Sequence, residues 1–178
     1  MAEPPWVWRD EVTAEDRAVV RRLCASTGFF SEEEIQIAVQ LVEERLAKGL
    51  ASGYHFLFAQ REKTICGYAC FGPIAGTESS WDLYWIVVEG KERHRGIGRR
   101  LQKEVEARIV RCGGSRIFVW TSSREQYLPT RRFYERRGFT PEATIEDYYK
   151  PGEHLIIYGK RLPGGGTPNP FDFFPSKK

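Results

Sequence analysis

The chain is short of everything that would build a metal centre or a disulfide frame. It has four cysteines, Cys24, Cys66, Cys70 and Cys112, among 178 residues. None are spaced C-x-x-C, and each falls in an apolar or helical pattern, so they read as reduced core thiols. His55, His94 and His154 are far apart and lack ligand spacing, so no metal is expected. No leader pattern and no apolar run of spanning length is present, which points to a cytoplasmic protein with no membrane partner. Charge of one sign is also scarce: 27 Lys and Arg face 24 Asp and Glu, a net +3. That total is too weak to call for nucleic acid.

What the chain does have is ordinary globular composition, 41% hydrophobic and 29% charged, enough for one domain with a sizeable core. The pattern predicts an α/β protein with a mixed sheet. Trp6 to Arg9 reads as a first strand, and Thr13 as the cap of a helix running to about Cys24 and stopping at Gly28. Ser31-x-x-Glu34 is a capping box, and behind it Ile35, Ala38, Val42 and Leu46 recur at helical spacing. His55 to Ala59 and Thr64 to Phe71 form an antiparallel hairpin around Arg61-Glu62-Lys63. Leu83 to Val88 and Arg116 to Thr121 are unbroken apolar runs, as expected of central strands covered on both faces. Between them a helix carries Ile97, Leu101, Val105 and Ile109 in an i, i+4 stripe and stops at Gly113-Gly114. Strand, helix and strand in that order make a parallel right-handed crossover.

The turn into that helix, Arg93-His94-Arg95-Gly96-Ile97-Gly98-Arg99-Arg100, is the most informative stretch. A strand that turns through two glycines into a helix start offers free backbone N–H groups, and the basic side chains add positive charge, so the turn suits a polyanion. A mononucleotide P-loop needs Gly-Lys-Ser/Thr after its second glycine, and Arg99-Arg100 follows here. A dinucleotide fingerprint needs a third glycine where Leu101 stands. Both are excluded.

The remaining pattern, Arg93-x-x-Gly96-x-Gly98, resembles the pyrophosphate loop of the GNAT superfamily of acetyl-coenzyme A dependent N-acetyltransferases. A second segment agrees: Phe133-Tyr134-Glu135-Arg136-Arg137-Gly138-Phe139 resembles the Phe-Tyr-Glu-x-x-Gly-Phe element that closes GNAT domains. After it, Ala143 to Tyr149 and Leu155 to Leu162 read as a last hairpin around Pro151-Gly152. The resemblance covers roughly residues 6–162. It implies a GNAT-like acyl-CoA N-acyltransferase fold with two N-terminal helices, a parallel β-α-β core and a C-terminal hairpin. Residues 1–162 are expected as one domain, and residues 163–178, rich in Gly and Pro, as a flexible tail.

The same resemblance implies acetyl-CoA as cosubstrate and direct attack by a primary amine in a ternary complex. Backbone groups of Ile86, Val87 and Val88 would meet the pantetheine arm, with an N–H of Ile86 or Val87 polarising the thioester. Arg93, His94, Arg95, Gly96, Ile97, Gly98 and Arg99 would hold the phosphates, with Arg100 as a further source of charge. Tyr134 matches the family's general acid. Family members carry asparagine and alanine where this chain has Tyr127 and Thr130, so the hydroxyl of Tyr127, Ser122 or Ser123 is the substitute contact for the pantetheine arm. For the base, Glu78, Asp82 and Glu89 flank the central strand, and Glu146 and Asp147 lie on the late hairpin. Asp82 and Glu89 are carried forward, with a water chain as the alternative.

Trp81, Tyr84, Trp85, Tyr148 and Tyr149 could line an acceptor pocket with Asp82 and Asp147, favouring a cationic or aromatic amine; ordinary core aromatics are the equal alternative. Phe133 is expected in the core. Arg131, Arg132, Arg136 and Arg137 are expected on a solvated helix face. The acceptor is a small-molecule or peptide amine, and a homodimer is left open. A non-catalytic acyl-CoA sensor and a basic nucleic-acid module are the rival readings.

Overall fold

The computed structural model describes residues 5–93 and 95–164. In chain order the elements are β1 (Val7–Arg9), α1 (Asp16–Ser26), α2 (Glu32–Lys48), β2 (His55–Arg61), β3 (Thr64–Pro73), β4 (Ser80–Val88), α3 (Ile97–Arg111), β5 (Arg116–Ser122), α4 (Leu128–Glu135), β6 (Thr140–Lys150) and β7 (Glu153–Arg161). The strands make a seven-stranded sheet in the order β1-β2-β3-β4-β5-β7-β6. β4 and β5 run parallel, joined by α3, whereas β1–β2, β2–β3, β5–β7 and β6–β7 are antiparallel. This is the mixed α/β sheet that the pattern predicted. The described residues gather into two compact units, 5–72 with 83–105, and 73–82 with 106–164.

In the first unit, α1 and α2 lay Val20, Leu23, Ile35, Ala38, Val39 and Val42 onto Phe56, Phe58, Tyr68, Cys70 and Val87. The rings of Phe56, Phe58 and Tyr68 stack with centroids 5.9 to 6.4 Å apart. The α2 capping box forms as read: the Glu34 N–H donates to Ser31 Oγ at 3.2 Å and the Ser31 N–H to Glu34 Oε2 at 2.7 Å. The cap expected from Thr13 does not form. The N-cap is Glu15, without a side-chain bond, and the bond runs the other way, from the Thr13 N–H to Asp16 Oδ2 at 2.7 Å. Asp16 is buried and also takes the Arg9 guanidinium at 2.7 and 2.9 Å. The Asp16 N–H goes to the Thr13 carbonyl at 3.1 Å and the Thr13 hydroxyl donates to Asp16 Oδ2 at 3.3 Å, so that hydroxyl is turned to the carboxylate and caps no helix amide.

In the second unit, β5 alternates. Ile117, Val119 and Thr121 are buried, and their face is covered by helices: Tyr158, opposite Val119, donates to Glu135 of α4 at 2.9 Å, and Lys160, opposite Ile117, donates to Glu106 of α3 at 2.7 Å. Phe118 is only half-buried and Trp120 is 53% exposed. The expectation that this central strand is covered on both faces is therefore wrong. An apolar run shows that each side chain is hydrophobic but not whether anything packs on it. β6 is exposed along its whole length. Its hairpin turns at Pro151-Gly152 as predicted, but the register breaks between Ile145↔Leu155 and Lys150↔Glu153, so that Glu146, Asp147, Tyr148 and Tyr149 stand opposite His154 alone. The bulge is held by the Asp147 N–H donating to His154 Nδ1 at 2.9 Å and the Gly152 N–H donating to Asp147 Oδ1 at 2.7 Å, with Asp147 at φ 51°. Periodicity cannot foresee a bulge made by side-chain bonds.

All four cysteines are free, three of them buried. Among the described residues no helix is long and apolar enough to cross a membrane.

Candidate active site

The anion turn belongs to the first unit. At the end of β4 the Glu89 N–H donates to the Cys66 carbonyl at 2.8 Å, which pins the strand end to β3. A tight 3-10 turn at Gly90–Glu92 follows, then Arg93 in an extended conformation and Gly96 at φ 78°. That left-handed angle suits glycine and costs any other residue. The first intrahelical bond of α3 runs from the Arg100 N–H to the Gly96 carbonyl at 3.1 Å, so the N–H groups of Ile97, Gly98 and Arg99 have no acceptor within the helix. The first turn of α3 holds no acidic residue and carries the exposed Arg99 and Arg100. Cations at a helix N-terminus oppose the helix dipole, an arrangement that makes physical sense when an anion sits between them.

Buried carboxylates brace this turn. Glu92 takes Arg61 at 3.2 Å and Arg95 at 3.0 Å, and Glu89 is paired with Arg22 through Oε1 and with Lys91 at 3.4 Å. Glu89 thus ties Oε1 to Arg22, while its Oε2 is buried without a hydrogen-bond partner, with the Lys91 ammonium 3.4 Å away. Ile86 and Val88 are half-buried and Val87 buried. His94 lies outside the described residues.

Asp82 and Tyr134 belong to the second unit. The β4–β5 ladder pairs Ser80 with Arg116, Trp81 with Ile117 and Asp82 with Phe118, and ends there. Asp82 stands at its last rung with Oδ1 buried and without a hydrogen-bond partner. Burial lifts its carboxyl from the ordinary 3.8 to about 6, where it titrates just below neutrality. Tyr134, on α4, is buried, with its ring edge-on to Phe133 and Phe139 at 5.3 and 5.2 Å. Burial pushes its phenol far up, so it holds its proton at neutral pH.

Around them the remaining expectations sort themselves. Pro129 sits in the first turn of α4, where its missing N–H is harmless. Tyr127 is half-buried just ahead of it, beneath the Arg124 guanidinium at 5.2 Å, and Thr130 is half-buried on the helix. Ser122 Oγ is already engaged, donating to Glu153 Oε1 at 2.7 Å, and Ser123 Oγ accepts the His154 N–H at 2.8 Å. Arg131 is not on a solvated face: it donates to the carbonyls of Ser122 and Arg124 at 2.6 and 3.0 Å. Phe133 is half-buried rather than core, with Arg137 over its ring at 5.3 Å. Of the expected acceptor aromatics, Trp81 is 3% exposed and fills the space beside Gly114 and Ile109, and Trp85 packs on Phe30 at 4.9 Å. Asp147 is spent in the bulge. Tyr84, Tyr148 and Tyr149 are exposed. Phe118 and Trp120 are not set apart in the sequence from the buried Ile117 and Val119, because the run from Ile117 to Trp120 is apolar throughout.

A mixed sheet with one parallel crossover, a two-glycine turn with arginines at the crossover helix and a buried tyrosine on the next helix are the features that mark the class of the protein. A family model described as the acetyltransferase (GNAT) family matches residues 20–139. A solved GNAT-family protein from Desulfovibrio desulfuricans is 44% identical, with a TM-score of 0.86 over 89% of this chain and 99% of its own. An N-acetyltransferase from Thermoplasma acidophilum, solved with coenzyme A, has the same fold at 21% identity, with a TM-score of 0.67 over 88% of this chain and 99% of its own. The uncharacterized N-acetyltransferase YuaI of Bacillus subtilis is 32% identical over 95 residues, 52% of each chain, so the match spans about half the length of that curated relative. The chain belongs to the GNAT acetyltransferase family.

Proposed function

We propose that this protein transfers the acetyl group of acetyl-CoA to a primary amine, with Asp82 receiving the amine proton and Tyr134 facing the departing sulfur. The observation that carries the reading is the turn at Arg93–Arg100. It combines a left-handed Gly96, helix N–H groups without intrahelical acceptors and arginines in place of the usual acids. The residues fit the donor: amides and guanidiniums suit a pyrophosphate, and the end of the β4–β5 ladder at Asp82 leaves Leu83–Val88 beyond it to offer backbone groups to an extended arm.

When bound, acetyl-CoA supplies the activated acetyl group. A backbone N–H of Ile86 or Val87 polarises the carbonyl. The Asp82 carboxylate, mostly ionised at neutral pH and short of hydrogen bonds on Oδ1, takes the proton of an incoming ammonium directly or through a water. The Tyr134 hydroxyl, protonated at that pH, donates toward the sulfur. Tyr127 takes the place of the family's asparagine beside the arm. Glu89 holds the turn against Arg22 through Oε1, and its buried Oε2, without a hydrogen bond, keeps it as the second candidate base.

The test has two readings. Acetyl-CoA at a hundredfold its dissociation constant should stabilise the protein by about 2.7 kcal/mol, and an amine panel should then release free thiol. No melting shift overturns donor binding; a shift without thiol release from any amine assigns the chain to a sensor.

A further inference from the structure

We infer that the part of the β5, β6 and β7 face around Trp120 and Ile145, which the described residues leave open, is the acceptor platform, and that it selects a primary amine on a short chain ending in an aromatic or branched apolar group. The inference rests on the acetyl-transfer reading above and adds the substrate class. Residues paired across a ladder project to the same side of the sheet. Asp82 pairs with Phe118, Trp120 with Ile157, and Ile157 with Ala143, while Ile145 pairs with Leu155 on the same side. Asp82, Phe118, Trp120, Ile157 and Ile145 therefore share the face opposite to the one that α3 and α4 cover. Trp120 is 53% and Ile145 45% exposed, and Tyr148 from the bulge meets Trp120 edge-on at 6.4 Å.

Both ends of this strip are closed by ion pairs, with Arg116 Nε left buried without a hydrogen bond. At one end Arg116 pairs with Glu142 and lies over the Phe118 ring at 4.8 Å. At the other, Glu153 takes the Ser122 hydroxyl at 2.7 Å and Arg124 at 2.8 Å. Between them the surface is apolar, and Asp82 contributes its one buried carboxylate oxygen without a hydrogen bond. Such a face offers one anchor for a cation and apolar area for what the cation is attached to. It offers little to a hydroxyl-rich or multiply charged acceptor, whose polar groups would lose water without replacement. Phe118 is level with Asp82, and Trp120 lies two residues further along β5, about 7 Å at 3.3 Å per residue. An amine nitrogen near Asp82 is thus separated from a ring on Trp120 and Tyr148 by a spacer of a few carbons.

The experiment uses the full chain with saturating acetyl-CoA and follows thiol release with 2-phenylethylamine, spermidine and kanamycin. The expected result is a kcat/KM for 2-phenylethylamine at least tenfold above the other two. Trp120→Ala should lower it about tenfold, mainly through KM, and Trp120→Phe should restore most of it. Trp120 is exposed, so folding is not at risk, and an unchanged acetyl-CoA melting shift verifies the donor side in each variant. Loss of that shift in the parent protein refutes acetyl transfer itself. A normal shift combined with preference for spermidine or kanamycin, with no turnover of 2-phenylethylamine, or with Trp120→Ala kinetics equal to the parent's overturns the platform alone. So does a dimer that Trp120→Ala dissociates, which would assign the face to a second copy.

Discussion

Replacing Asp82 by asparagine should make the protein more stable and far less active. The carboxyl is raised from 3.8 to about 6 by desolvation, so folding disfavours its ionised form. One pKa unit corresponds to 1.36 kcal/mol, which gives about 3 kcal/mol for a fully buried group. Asp82 is half-buried, and solvent screening reduces this to roughly 1–2 kcal/mol. The sign follows from linkage: an acid raised in the folded state carries no penalty below 3.8, a growing one between 3.8 and about 6, and the full one above. The neutral amide of the variant carries none at any pH. At 2–4 °C per kcal/mol for a chain of this size, Asp82→Asn should melt roughly 2–8 °C higher at pH 7.5 and together with the parent at pH 3.5. The parent's kcat/KM should fall on the acid side with a midpoint near 6, and the variant should lose about 10² or more of its rate together with that limb. Thermal melts across pH and thiol release supply both curves. A variant that melts at or below the parent at pH 7.5, or that retains the acid limb, refutes the assignment of a strained, titrating Asp82.

Tyr134→Phe should lower turnover by about 10² while sparing acetyl-CoA binding, because it removes only the hydroxyl; calorimetric titration beside steady-state kinetics separates the two. Gly96→Ala, at φ 78°, should cost roughly 1–2 kcal/mol of stability and raise the KM for acetyl-CoA, since relief of the strain moves the amides that hold the phosphates. Glu92→Gln leaves Arg61 and Arg95 without their shared carboxylate and should lower the melting temperature by several degrees at about 1–2 kcal/mol. It should also weaken acetyl-CoA through a displaced turn, visible as a higher KM at unchanged kcat.

The sequence by itself determined the elements, their order and the glycine turn to which donor binding is assigned under the proposed function. Ile97, Leu101, Val105 and Ile109 recur at a period that only a helix presents on one face, and Gly96 and Gly138 mark φ angles that other residues avoid. Local rules of this kind need no knowledge of distant residues. Four things came only from the tertiary structure. Glu89 and Asp82 look alike in sequence, and each buries one carboxylate oxygen without a hydrogen bond, yet Glu89 also meets Arg22, which lies far from it in the chain. Trp81 and Trp120 are equally hydrophobic, yet one fills a space beside Gly114 and the other faces solvent. Arg131 turned from a solvated charge into a clamp on the loop after β5. The β6 bulge arose from one histidine accepting one amide. In each case desolvation and partnership are set by residues that the chain brings together from a distance, so charge state, exposure and role at a position are properties of the fold rather than of the residue type.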